Sequence, residues 1–499
     1  MNNDPNKHNP NQPCQCNIDR ALHGPNGFVF INGAQKQSDT PTGKSYFAYN
    51  IRIGDTETKH RYSEFESLRK SLVRLHPTMI VPPIPEKHSI VDYAALQTRV
   101  KDDLSMVEKR KRMLQTFLNR VAKHPQLGHD HVFHRFLENG VAWSDVLHSS
   151  PLSDLPKNPL QVIASKQPDI AAYEAILANS LIPTPTATYT LKNPDPRFEE
   201  SEKFTYRIAN YMSNNLDKSQ RKVIRRLGEL ANDYAELGAV YNGFSLNETG
   251  AVANAIEKIG QAVDASYTET GQMVTALEGE FAEPIQEHSQ FAHTIKQVLR
   301  FRHMKHAQVE LIESSLKNKE ESLQNLLDIE REASRLHDAM TTERTIGSNA
   351  LDIDQINEAA NSHTSGEESG QEESPYLNND HRPIVRRRSR GWGGPVQMIS
   401  AVGHTLQGLI DVDPASTRHN QIGKTKDSME LLQKALEITR KDLAAASIEV
   451  QADLDRFQRE KIRDLRDMLI AYAKVHINYC QKNLESWEEA RVEIDKIPN

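Results

Sequence analysis

The sequence predicts a small α+β domain followed by an all-α region built on long helices. Three observations carry this expectation. Between about residues 27 and 142, short alternating apolar runs give way to helical spacing. From about residue 201 onward, apolar residues recur at three- and four-residue steps with little interruption. Finally, 499 residues at 37% hydrophobic and 26% charged exceed one compact core and suit well-solvated helices.

Residues 1–26 are rich in Asn, Pro and Gln and are expected to be disordered. Phe28 to Ile31 reads as a strand, with Asn32-Gly33 as its turn. From Tyr46 to Ile53 the residues alternate, with Phe47, Tyr49, Ile51 and Ile53 on one face. Helical spacing follows at Glu64–Leu75 and at Val107–Val121. Between those helices, Val81-Pro82-Pro83-Ile84-Pro85 is restricted to extended, polyproline-like backbone.

Residues 143–200 read as a proline-punctuated linker with a short helical piece near 171–178. Beyond it, Ile224, Leu227, Ala231, Tyr234, Gly238 and Tyr241 form a packing stripe, and Ile285, His288, Ala292, Ile295 and Leu299 begin another. A third stripe steps through Met429, Leu432, Leu436, Thr439, Leu443, Ala446 and Val450, then drifts toward Leu469 and Tyr472. No such helix buries its stripe alone, so partner helices from the same chain or a second chain are required. A Ser/Glu/Gly/Asn-rich stretch at about 345–395 reads as a disordered insertion. It ends in Arg386-Arg387-Arg388-Ser389-Arg390, where a phosphate on Ser389 would weaken attraction to an anionic surface. Residues 395–410 place Val396, Ile399, Val402, Leu406 and Ile410 on one helix face, suited to a membrane interface or to packing on the bundle.

Composition excludes several classes. A net charge of −7 gives no global sign of nucleic-acid binding. Three cysteines, Cys14, Cys16 and Cys480, cannot form a disulfide framework and suit a reducing compartment. Cys14 and Cys16 with His8 and His23 are metal-ligand types, but the C-x-C pair has no matching second half nearby, so no metal is expected. No apolar run reaches transmembrane length, and the N-terminus lacks a signal-peptide core. The chain therefore reads as soluble, with any membrane contact peripheral. Without a glycine-rich phosphate loop, nucleophile elbow or zinc spacing, neither an enzyme nor a cofactor is expected.

The strongest local signal is Lys59-His60-Arg61-Tyr62-Ser63-Glu64-Phe65 at a strand-to-helix junction. It is followed by Pro82-Pro83-Ile84-Pro85-Glu86-Lys87 and by Glu108-Lys109-Arg110-Lys111-Arg112. Residues 27–142 hold 18 Lys/Arg against 12 Asp/Glu, a basic domain of +6 in an acidic chain. Cations from three separate elements suit a phosphate-bearing ligand, with Arg giving bidentate bonds, Lys a point charge and Tyr a flat face.

These three motifs, in this order over about 115 residues, resemble the phox-homology (PX) domain, the phosphoinositide-binding module of sorting nexins. The resemblance implies a three-stranded sheet with helices and a phosphatidylinositol 3-phosphate site. In that site Arg61 holds the 3-phosphate, Tyr62 packs on the inositol ring, Lys87 reaches the 1-phosphate and Arg110 binds the 4- and 5-hydroxyls. His60 stands where the family often has a second Arg.

A PX domain followed by a linker and three long helices resembles the sorting nexins with a BAR domain, which form elongated, membrane-curving dimers. The insertion and the segment GLIDVDPASTRHNQIGKT resemble fungal members acting in endosomal recycling and selective autophagy. The resemblance implies a homodimer or a heterodimer with a related nexin, cargo or autophagy proteins as partners, and peripheral residence on endosomal and preautophagosomal membranes.

Two groups on the helices are candidates for the membrane surface: Arg221, Lys222, Arg225 and Arg226, and Lys296, Arg300, Arg302 and Lys305. Arg456, Arg459, Lys461 and Arg463 form a third basic group. The competing reading is a coiled-coil scaffold or tether that the PX domain only localises.

Overall fold

The computed structural model describes residues 14, 16–25, 27–38, 45–86, 100–162, 182–348 and 414–498. The chain divides into two compact units, residues 1–313 with 434–499, and residues 314–433.

The first unit opens with α1 (Asn17–Leu22), inside the stretch whose composition predicts disorder. Ile18 and Leu22 lie four apart on one face, and both are buried in the core of the sheet domain, which orders an otherwise polar segment. The sheet is antiparallel in the order β1 (Phe30–Ser38), β2 (Ser45–Ile53), β3 (Thr56–Arg61). Asn32-Gly33 is not a turn. Ile31 pairs with Ile51 and Gly33 with Asn50, so Asn32 is the extra residue of a bulge and the strand runs on. The turn that does require glycine follows β2, where Gly54 has φ 53°.

Tyr49, Ile51 and Ile53 of β2 face inward as their alternation predicts. They pack with Phe65, Leu68 and Leu72 of α2 (Tyr62–Leu75) and with Leu114, Phe117 and Val121 of α3 (Val100–Lys123). Asn119 fastens the residue just before β1 to α3, accepting from the Val29 N–H at 2.9 Å and donating to its carbonyl at 2.8 Å. After α4 (His131–Leu137) and α5 (Trp143–Leu147), the same core takes in Trp143, Val146 and Leu152, beyond residue 142.

Three long helical runs follow among the described residues. In the first, α6 (Pro196–Asn210) continues through a π-helical turn at Tyr211–Asp217 into α7 (Lys218–Ser245). In the second, α8 (Gly250–Leu277) continues through Glu278–Ala282 into α9 (Glu283–Ser348). The third is α10 (Pro414–Ile494). A Cβ on Gly238 would meet Asp264 Oδ1 at 2.1 Å, and one on Gly260 would meet Asn242 Oδ1 at 2.1 Å. Glycine at these two places lets α7 and α8 run close and antiparallel, with Asn242 donating to Asp264 at 2.9 Å. On α10 the stripe is buried at Leu436, Ala446, Val450, Leu454 and Phe457, with Leu443 half-buried, after which the drift leaves Leu469 exposed. The helical piece expected at 171–178, the amphipathic segment 395–410, Ser389 and nearly all of the 345–395 insertion lie outside the described residues. In the second unit, Arg418 and Glu330 form an ion pair at 2.9 Å.

Within the first unit the sheet domain is welded to the helices. Ile80 enters an apolar cluster with Phe198, Phe291, Ile295, Val450, Leu454 and Phe457. Beside it, Asp453 accepts from the Ile80 N–H at 2.6 Å, from His124 Nε2 at 3.0 Å and from Arg456 Nε at 2.7 Å. Burial raises the Asp453 carboxyl, but the bonds from His124 and Arg456 bring it down to about 2. Farther along α3, Arg120 forks onto Glu287 at 2.6 and 2.7 Å and reaches Asp464 at 2.8 Å, while Arg112 forks onto Glu283 at 3.1 and 2.6 Å.

His288 lies in this interface, 3.7 Å from Asp464, with neither ring nitrogen hydrogen-bonded among the described residues. Burial and the charge of Arg120 lower its pKa from 6.5 to about 4. Because the folded state resists a proton that the unfolded chain accepts below 6.5, stability is full above that pH and declines as pH falls toward 4. The loss approaches about 3 kcal/mol, at about 1.4 kcal/mol per pKa unit. The thermal midpoint of the wild type, followed by calorimetry from pH 7 to 4, is expected to drop more steeply than that of His288→Met.

Candidate functional site

Arg61 ends β3 and is the N-cap of α2, with extended backbone at φ −85° and ψ 158°. Glu64, three residues on, accepts the Arg61 N–H at 3.0 Å and so closes the carboxylate half of a capping box. The same oxygen meets His60 Nδ1 at 3.0 Å, and His60 Nε2 meets the Phe136 carbonyl at 2.7 Å. The imidazole is stacked on the Phe136 ring at 3.9 Å and is only 4% exposed. His60, the departure from the family pattern, is thus a buried strut that seats the junction. Burial raises the Glu64 carboxyl, yet the bonds from His60 and the Arg61 backbone leave it below the usual carboxylate range.

This anchoring leaves the Arg61 side chain 52% exposed, with Nε 3.8 Å from Glu64 Oε1 and Cζ 5.9 Å from the Tyr46 ring centroid. Tyr62, next in sequence, donates its hydroxyl to the Pro85 carbonyl and ties α2 to the proline segment. Burial pushes that hydroxyl up to about 12 against the opposing charge of Arg110. Arg110 comes from α3, its Cζ 4.9 Å from the Tyr62 ring centroid, with no carboxylate in ion-pair range among the described residues. Val81, Pro82, Pro83 and Pro85 are buried as a wall beside it. Arg69 holds this wall, donating to the Pro82 carbonyl at 2.9 Å and to Thr294 Oγ1 at 3.0 Å.

The structure therefore gathers Arg61, Tyr62 and Arg110 at one corner. Lys87 lies outside the described residues, and Glu86 before it is exposed. Two other members of the basic run do other work: Lys111 pairs with Glu108 at 2.6 Å and Arg112 with Glu283. Sequence reasoning missed Arg69. Its signal is the seven-residue step from Tyr62, which puts both on one face of α2 above the proline segment.

Arg221, Lys222, Arg225 and Arg226 are exposed on α7, with Arg221 paired to Asp217 at 2.9 Å and Arg225 to Glu229 at 3.8 Å. Lys296 lies 4.8 Å over the Tyr206 ring, and exposed Arg300 donates to the Ala187 carbonyl. Arg302 and Lys305 correct the expectation of a membrane surface. Arg302 is 6% exposed, 4.2 Å over the Phe198 ring and bonded to Ser447 at 3.2 Å. Lys305 is 4% exposed, paired with Asp442 and bonded to the carbonyls of Leu160 at 2.8 Å and Val162 at 2.9 Å. Both are internal ties. In the third basic group, Arg456 is likewise taken up by Asp453 and Glu460.

A three-stranded sheet backed by helices, with a cationic corner beside a proline wall and long helices downstream, has the layout of a PX domain joined to a helical region. The family pattern described as PX domain matches residues 52–140. The chain is 41% identical to sorting nexin-41 of Cryptococcus neoformans, over 97% of this chain and 74% of that protein. It is 33% identical to autophagy-related protein 20 of Gibberella zeae, over 96% of this chain and 86% of that protein. Among solved structures, the cryo-EM structure of the SNX-BAR Mvp1 tetramer aligns with 93% of this chain and 99% of its own. That alignment has 12% identity and a TM-score of 0.46, a similarity too loose to fix the fold. The chain belongs to the fungal sorting nexins and carries a PX domain.

Removing the Glu64 carboxylate leaves the Arg61 N–H without its acceptor and His60 with one bond fewer. Glu64→Ala is expected to cost about 1–2 kcal/mol in urea unfolding of the full chain.

Proposed function

We propose that this chain is a peripheral membrane protein that reads phosphatidylinositol 3-phosphate through Arg61, Tyr62, Arg110 and Lys87. The observation that carries the reading is Arg110, held over Tyr62 beside the exposed Arg61 and matched by no carboxylate among the described residues. Two guanidiniums and an aromatic face at one corner suit a phosphorylated ring: the cations bind phosphate oxygens and the tyrosine packs on carbon. Lys87 joins the set on the family resemblance. The exposed α7 cations would add weak attraction to an anionic leaflet, of about 1 kcal/mol for each well-placed residue. The names of its relatives, sorting nexin-41 and autophagy-related protein 20, support roles in sorting and autophagy, and the family resemblance adds the endosome as the place and retrieval and protein transport as the task. Among the described residues no helix is long and apolar enough to cross a membrane.

Co-sedimentation of the full chain with liposomes, with and without phosphatidylinositol 3-phosphate, tests the lipid reading. Arg61→Ala and Arg110→Ala are each expected to weaken lipid-dependent binding about tenfold or more, by loss of charge-assisted bonds worth about 1.5–3 kcal/mol. Wild-type-like binding by Arg61→Ala would sink the assignment.

We also infer a dimer that engages curved membrane through its helical region. Leu216, Val223, Leu230, Leu237 and Phe244 recur at seven-residue steps and are all exposed. Half-buried Leu227, Tyr234 and Tyr241 fall between them, giving a heptad seam that calls for a facing helix. The seam also suits the scaffold or tether reading; tubulation of liposomes by the dimer favours a BAR-type role and its absence a tether. Leu230→Glu with Leu237→Glu is expected to shift the protein to monomer in sedimentation velocity, with its helical circular dichroism largely kept.

A further inference from the structure

The C-x-C pair near the N-terminus has a second half that its neighbourhood in sequence does not show. Cys14 and Cys16 stand against His131 and His134, a His-x-x-His pair on α4. Cys14 Sγ lies 3.3 Å from His131 Nδ1, Cys16 Sγ lies 3.4 Å from His134 Nδ1, and all four ligand atoms fall within 4.8 Å of one another. Zinc bonds of about 2.3 Å to sulfur and about 2.1 Å to nitrogen place tetrahedral corners about 3.5 Å apart, close to the two sulfur–nitrogen distances, and the remaining pairs stay within 4.8 Å. His23, the nearby histidine, is not part of this group; it stacks on His129 at 4.0 Å, while His8 lies outside the described residues.

We propose that Cys14, Cys16, His131 and His134 bind one structural zinc ion that pins the N-terminal segment to the PX domain. Two further observations support it. The His134 Nε2 bonds to the Gly128 carbonyl at 2.8 Å. A carbonyl only accepts, so the proton sits on Nε2 and the Nδ1 lone pair is turned toward sulfur, the orientation a metal-binding imidazole needs. The site is also shielded from solvent on the side of Cys14 and His134, with Cys16 and His131 half-buried. Cys14 is 2% exposed, His134 is 1% exposed, and the Asp19 N–H donates to Cys16 Sγ at 3.4 Å. Two thiolates with two neutral imidazoles balance a divalent ion, and four protein ligands leave no open position, which marks a structural centre. The ion would bridge α1 to α4, whose Phe136 carbonyl holds His60.

The full chain, purified under reducing conditions, equilibrated with zinc and desalted, should retain close to one zinc per chain by mass spectrometry. Cys14→Ser with Cys16→Ser should fall to background, while Cys480→Ser at the exposed third cysteine keeps the metal. Cobalt in place of zinc should give the visible absorption of tetrahedral thiolate coordination in the wild type. A chelator should lower the wild-type thermal midpoint and leave the double variant unmoved. Failure of the wild type to retain stoichiometric zinc overturns the proposal and leaves thiol–imidazole hydrogen bonds alone; so does equal metal content in wild type and double variant. The wild-type measurement decides the matter even where the variant folds poorly.

Discussion

The first unit turns on one buried carboxylate. Asp453, on α10, receives a backbone N–H from the PX domain, an imidazole N–H from His124 just past the end of α3 and the guanidinium of its own helix neighbour Arg456. A carboxylate out of water is costly unless every oxygen finds donors, and here three elements supply them. His124 is fitted to this task. Its Nδ1 accepts from the Leu127 N–H at 3.2 Å, so its one proton lies on Nε2 and points to Asp453. Since Ile80 immediately precedes the proline wall, the contact that joins the two halves also places the wall on which the candidate lipid site rests.

The division of charge follows from the same junction. The PX domain carries an excess of six positive charges, and residues 143–499 carry about thirteen negative ones. Part of that opposition is used internally, where Arg112 and Arg120 meet Glu283 and Glu287 across one turn of α9. What remains at the Tyr62 corner is the cation with no such claim on it. Two arginines two residues apart on α3 therefore have opposite fates, because successive helical positions point about 100° apart.

This also explains how far the sequence was legible. Strand alternation at Tyr46–Ile53, the helices flanking the proline segment and the three long helices were readable because each depends on local periodicity. That Arg61, Tyr62 and Arg110 would come close together was legible through the resemblance of the three motifs, in their order, to a PX domain. Arg302 and Lys305 were misread because their partners are remote: the Leu160 and Val162 carbonyls that hold Lys305 come from a linker some 145 and 143 residues away. A basic residue on a helix looks solvated until the covering segment is known. The cysteine pair hid for the same reason, Cys14 and His131 being 117 positions apart. At Asn32-Gly33 the ambiguity is local, since the residues that make turns also make bulges.

Arg69 brings out a last consequence. One guanidinium grips the proline wall with one hand and Thr294 of α9 with the other, while Tyr62 clasps the wall's far end at Pro85. Prolines have already surrendered most of their backbone freedom, and these ties remove much of what is left. A ligand arriving at this corner meets a rim that has little disorder left to lose, so less of its contact energy goes into ordering the protein and more appears as affinity. On the proposed reading, the long helices thereby contribute to recognition at a site they do not line.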